Sequence, residues 1–155
     1  MVLVSTGGFK KLEAFEVAKL FLAHGISSIE LSGGAYSENV WTDIKSLAGF
    51  ATFQVHNYFP PPKVPFVLNL GSLDARISSL SIEHIKNSII GANLIGASTY
   101  SFHAGFLLDP QVTQLGQKIE HKKLFDRDRV KEVFVDRVRG LADFASGFGV
   151  QLMIE

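Results

Sequence analysis

The chain has 155 residues, enough for one ordinary domain with a sizeable core. Lys plus Arg and Asp plus Glu stand at 15 each, so no net field draws it to nucleic acid or to an anionic membrane surface. Cysteine is absent, which excludes disulfides, thiolate ligands and thiol nucleophiles, and leaves His, Asp and Glu as the side chains able to hold a metal.

Residues 1–4 form a short apolar run stopped by Ser5-Thr6-Gly7-Gly8, which predicts a strand and a loop. Leu12, Phe15, Ala18 and Leu22 then recur at helical spacing, predicting a helix over 11–23 with Gly25 as its stop. A second strand is expected over 26–31, ended by Ser32-Gly33-Gly34. Val40, Ile44 and Leu47 give a shorter helix, for which Ser37 is the expected N-cap. The third strand is placed at 51–55. Pro60-Pro61-Pro62 and Pro65 follow, a rigid loop suited to a wall.

Ile82, Ile85, Ile89 and Ala92 predict a helix over 77–95, and TYSFHAGF, residues 99–106, carries the fourth strand. After a polar loop to about residue 124, Val130, Phe134, Val138, Leu141 and Phe144 or Ala145 give the inward stripe of a charged helix over 127–146. Residues 150–154 form the fifth strand. Regular βα alternation argues a parallel sheet with helices outside. The 46% hydrophobic content and the apolar strands lead us to expect burial on both sheet faces.

An open doubly wound sheet would want a phosphate fingerprint after strand one, and STGGFKKLEAF holds neither G-x-G-x-x-G nor a P-loop. Three strands end on polar groups instead: His56, His103 and Glu155. A (β/α)8 TIM barrel gathers its chemistry at the strands' C-terminal ends, so these three are expected to converge. Such a barrel typically needs ~250 residues and eight strands. The expectation is therefore an α/β fold, the N-terminal five-strand part of a (β/α)8 TIM barrel, with residues 1–155 one domain of a longer protein.

Two imidazoles and a carboxylate suit zinc, manganese or iron. His103 has Gly105 beside it, which admits close backbone approach. Glu155 follows four apolar residues, where a carboxylate is expensive to bury without a partner. Glu30, ending strand two in SIELSGG, is a candidate contact for a substrate hydroxyl. Gly7-Gly8 and Gly33-Gly34 could form backbone nests for an anion, although glycine pairs after strands are more often plain turns. We set aside His24 as a helix end, His84 as lying among polar residues, and His121 as part of the charged run EHKK.

HNYFPPPKVPFVLNLGS, a helix, GASTYSFHAGF and GVQLMIE together resemble the xylose-isomerase-like TIM barrel superfamily, which holds sugar and sugar-phosphate isomerases and epimerases and the apurinic endonucleases. The likeness runs from IELSGG to LMIE. It implies that His56 and His103 ligate one divalent metal with Glu155, which in the epimerase branch is also the acid/base residue. Tyr58 and Asn69-Leu70 match a tyrosine and an Asn-Leu pair of that pattern, while the proline insertion between them departs from the endonuclease spacing. Further ligands are implied on strands six to eight.

The activity expected of the intact protein, and not of residues 1–155 alone, is metal-dependent isomerisation or epimerisation of a small sugar or sugar phosphate, a proton moving through an enediolate with Glu155 as base and a second base from the absent strands. One alternative is an apurinic endonuclease-like phosphodiesterase, which zero net charge opposes. Another is a non-catalytic half-barrel module that self-associates through open sheet edges. No apolar run reaches ~18 residues and MVLVSTGG lacks a basic n-region, so a cytoplasmic protein without a membrane span is expected.

Overall fold

The computed structural model describes residues 2–119 and 124–155. His121 lies outside them. Five strands form one sheet: β1 (Val4–Ser5), β2 (Ser28–Leu31), β3 (Thr52–His56), β4 (Thr99–Phe102) and β5 (Gln151–Ile154). Between them run α1 (Ala14–Ala23), α2 (Val40–Lys45), α3 (Ala75–Leu94) and α4 (Arg127–Ser146).

Every neighbouring pair is parallel and the strand order is β1-β2-β3-β4-β5. That order decides between the two candidate architectures. A doubly wound sheet reverses its strand order at a switch point, whereas successive right-handed crossovers that always step the same way put every helix on one face. The fold is accordingly a run of consecutive βα units of a TIM barrel, with β1 and β5 at the edges.

Ile29, Leu31, Phe53, Val55, Tyr100 and Phe102 are all buried within the core cluster that includes Val17, Phe21, Ile44, Ile85 and Ile89 from the helices. Among the described residues, the second sheet face is only partly buried. Side chains alternate along a strand, so Glu30, Gln54, His56 and Ser101 face away from the helices. Of these four, only Ser101 is fully buried. The apolar look of the strands reflected the helix-facing positions, and the intervening polar ones line the other face.

Local chemistry moves some element ends. The first helix starts at Ala14 rather than at residue 11, because the Leu12 carbonyl accepts from Ala35 N–H at 2.8 Å and Glu13 bridges to Ala35. Its buried face is therefore Ala14, Val17, Ala18 and Phe21, leaving Leu12 45% exposed. Asn39, not Ser37, occupies the N-cap position of α2, and no side chain caps it. By contrast, Asp74 accepts from Arg76 and Ile77 N–H, and Asp126 from Arg129 N–H, fixing the starts of α3 and α4.

His84 corrects a second expectation. It belongs to the buried face of α3 with Ser78, Ser81, Ile85, Ser88 and Ile89. Its ring stacks on Tyr58 at 5.4 Å between centroids and meets the edge of Phe66 at 5.8 Å. Burial pushes the imidazole down to about 4, only partly opposed by a hydrogen bond to the Asn57 backbone, and Nε2 has no partner among the described residues.

The sign of the consequence is fixed. An unfolded His titrates near ~6.5, so between that pH and about 4 the unfolded chain binds the proton that native His84 refuses. Stability is unaffected above ~6.5 and falls as pH drops towards 4, by roughly 3 kcal/mol in all. Replacing His84 with Phe, which keeps the ring packing, is expected to remove that part of the acid sensitivity. Urea midpoints at pH 7.5 and 4.5 would show it; an unchanged pH slope would contradict it.

Candidate metal centre

β-Sheet register brings the three polar strand ends together. His56 pairs with Ser101 across β3 and β4, and Ser101 with Met153 across β4 and β5. Stepping two residues onward keeps the same face, which takes Ser101 to His103 and Met153 to Glu155. The ladder itself continues that far, since Glu155 N–H donates to the Phe102 carbonyl at 3.0 Å. One donor atom from each of His56, His103 and Glu155 lies within 4.8 Å of the others.

The rings of His56 and His103 meet edge to face at 5.2 Å and 77°. His56 Nδ1 stands 3.6 Å from Glu155 Oε1. His56 is half-buried while His103 and Glu155 are exposed, so an ion could reach them from solvent. Three N/O donors from separate strands form a set that zinc, manganese or iron accepts. Ligands held ~2.0–2.2 Å from one ion in a tetrahedron are about 3.4 Å apart. Loading a metal would draw the donors inward from their present spacing.

Sequence reasoning missed Ser101. Its hydroxyl lies 2.8 Å from His56 Nδ1 and is buried. When Nδ1 carries the proton it donates to Ser101 Oγ and leaves the Nε2 lone pair free; in the other tautomer the hydroxyl donates to Nδ1. Either way the ring orientation is fixed, and in the first tautomer Ser101 stands as the outer partner of an imidazole whose Nε2 is free to bind a metal. The available signal was Ser101's place two residues before His103, on the same strand face.

The loops after β3 and β4 are locked together by Asn69, which is fully buried. Its Nδ2 donates to the Phe106 and Leu108 carbonyls at 3.3 and 3.0 Å and to Asp109 Oδ1 at 2.8 Å. Its Oδ1 accepts from Gly71 and Phe106 N–H, both at 3.0 Å. Ser72 Oγ donates to the other oxygen of Asp109, and Arg137 donates to the Leu70 and Ser72 carbonyls. Gly105 sits against this knot at φ +106, where a Cβ would come within 2.6 Å of Asn69 Oδ1. Only glycine fits there, and the turn that carries His103 depends on it.

Beside the metal-type cluster lies a cavity of about 660 Å³ whose lining includes Asn57, Tyr58, Phe66, His103, Phe106 and Glu155. Pro65 lines it too, so the proline loop does supply a wall. Tyr58 is half-buried; its hydroxyl accepts from Phe66 N–H at 2.7 Å, and burial raises its pKa. The phenol keeps its own proton to donate. Glu30 is on the same sheet face but is not among the residues lining the cavity, and the structure does not bring it to the three donors. His24 closes α1, its Nδ1 2.9 Å from the Leu20 carbonyl.

Neither a family profile nor a curated protein sequence matches this chain. Solved structures do. An L-ribulose 3-epimerase aligns with a TM-score of 0.67 at 17% identity, covering 99% of this chain and 48% of that one. D-psicose 3-epimerase from Clostridium cellulolyticum, with D-tagatose, gives 0.65 at 17% identity over 96% and 50%. A Thermus thermophilus protein soaked with zinc chloride gives 0.58 at 19% identity over 93% and 54%.

The chain thus shares its fold with part of the TIM barrel in these sugar epimerase structures. The chain spans about half the length of those structures. Among the described residues, no helix is long and apolar enough to cross a membrane.

Proposed function

We propose that this chain supplies the metal-binding half of a divalent-metal-dependent sugar epimerase or isomerase. The observation that carries the reading is the meeting of His56, His103 and Glu155 at the C-terminal ends of adjacent parallel strands, beside a cavity. The donor set fits a first-row divalent ion, with His56, His103 and Glu155 holding it. Bound there, the ion would polarise a carbonyl and a neighbouring hydroxyl of the sugar.

The remaining work belongs to the protein. Glu155 takes the proton from the carbon beside the carbonyl, giving an enediolate, and returns it to the same or the neighbouring carbon. Ser101 holds the His56 ring, Asn69 and Gly105 hold the His103 turn, and Tyr58 offers a hydroxyl proton from the cavity wall. Inverting a carbon also needs a second acid/base group on the opposite face, which a complete barrel would supply. Glu30 takes no part in the proposal.

Solvent exchange tests it. In D₂O with Mn²⁺, the chain is expected to wash deuterium into the carbon beside the D-fructose carbonyl, and Glu155→Gln to stop the exchange. Exchange that persists in Glu155→Gln would remove Glu155 as the base. Ser101→Ala is expected to weaken Mn²⁺ binding by about 10-fold or more, in the range for outer partners of metal-bound histidines. Calorimetry that found equal affinities would contradict its positioning role.

A further inference from the structure

The turn that follows His56 is held by side chains outside the metal-type cluster. Asn57 stands there at φ +39, the one non-glycine residue with a positive φ among the described residues. Such backbone is uncommon outside glycine, asparagine being among the more tolerant residues, and it persists where the surroundings over-determine it. Here both ends of the residue are pinned. Its N–H donates to the Ser101 carbonyl at 2.5 Å, and its carbonyl accepts from the Tyr100 hydroxyl at 2.6 Å. The same carbonyl accepts from the His84 ring.

Register puts Tyr100 in reach of that carbonyl. It pairs with Val55 across β3 and β4, both side chains facing the helices, and Asn57 lies two residues beyond Val55. The ring is fully buried and stacked with Phe102 at 6.0 Å between centroids. Burial raises the phenol's pKa well above its usual range, so the hydroxyl keeps its proton and donates. Packing in the core asks only for the ring; the hydroxyl serves the turn. Ser88 acts alike one step on, donating to the Phe59 carbonyl at 2.6 Å.

We propose that Tyr100 is a positioning residue for the metal centre: through the Asn57 carbonyl, its hydroxyl fixes the left-handed turn that sets His56 against His103 and Glu155. Ser101 works from the other side, through the His56 ring and the Asn57 N–H. Without the hydroxyl, the carbonyl is left to His84, and the turn relaxes towards ordinary backbone and carries the His56 ring off the shared centre. The proposal rests on the metal reading of His56, His103 and Glu155 and adds a residue that touches neither metal nor substrate.

Zinc calorimetry on the 155-residue chain, with visible spectra of the cobalt-loaded chain, tests it. Tyr100→Phe keeps the buried ring and is expected to weaken zinc binding by about 10-fold, the low end for groups that orient metal ligands, and to shift the cobalt d–d bands. Ile89→Val, a core change elsewhere on α3, controls for lost stability and should leave affinity and spectrum unchanged. Asn57→Gly keeps the positive φ without strain and should bind zinc as the parent does, whereas Asn57→Val, strained there, should fall with Tyr100→Phe. Parent-like zinc binding in Tyr100→Phe, or an equal loss in Ile89→Val, would overturn the proposal. Should Tyr100→Phe not fold, the Asn57 pair decides, and equal affinities of its two members would overturn it as well. No zinc binding by the parent chain would remove the metal reading and this proposal together; tight binding by the parent with an unmoved Tyr100→Phe would remove this proposal alone.

Discussion

Asn69→Ala is expected to cost roughly 3–5 kcal/mol, a large share of the ~5–15 kcal/mol that holds a typical domain together. The side chain's oxygen accepts two hydrogen bonds and its two N–H groups are shared among three acceptors across two loops. Truncation leaves the Gly71 and Phe106 N–H groups without their acceptor and removes the Nδ2 donor 2.8 Å from Asp109 Oδ1. Each stranded buried group costs about 1–3 kcal/mol, and more for the carboxylate.

Asn69→Asp makes the sharper comparison. It keeps an acceptor for the two N–H groups but sets a second carboxylate where Nδ2 now stands 2.8 Å from Asp109, so its stability should recover as pH falls and one acid protonates. Urea unfolding at pH 7.5 and 5 checks both variants. A loss below about 1 kcal/mol for Asn69→Ala would show that water replaces the side chain freely.

His56→Ala and His103→Ala should each lower zinc affinity by more than about 100-fold, because losing even an outer partner typically costs 10–100-fold and these would be direct ligands. His103→Ala should leave thermal stability without metal little changed, since His103 is exposed, whereas His56→Ala should lower it by stranding the buried Ser101 hydroxyl. Calorimetric titration of both variants reads the affinity. Retention of tight zinc binding in either would exclude that imidazole from the centre.

Much of this arrangement was legible because strands and helices announce themselves by period and by their stops. Ile82, Ile85, Ile89 and Ala92 marked α3, and the polar residues ending three apolar runs marked the cluster. What stayed hidden had physical causes. Ser81 and Ser88 are fully buried on α3 because their hydroxyls donate to the carbonyls one turn back, at 2.8 Å each, so a polar spacing conceals a core face. His84 was misjudged for the same reason.

Ser101 escaped notice because its role comes from register with His56 across two strands, which a linear reading does not contain. The two-faced sheet was misread because Phe, Val, Leu and Ile dominate the strands by volume while Glu30, Gln54 and Ser101 occupy the alternate positions. The Asn69 knot joins residues 37 to 40 positions apart and could be built only once β3 and β4 were adjacent.

The most direct test of the account is X-ray absorption at the zinc edge of the zinc-loaded chain. It should show nitrogen and oxygen neighbours at ~2.0–2.2 Å with the multiple scattering of two imidazoles, falling to one in His103→Ala. A zinc shell without imidazole scattering, or one that His103→Ala leaves unchanged, would contradict a centre built on His56, His103 and Glu155.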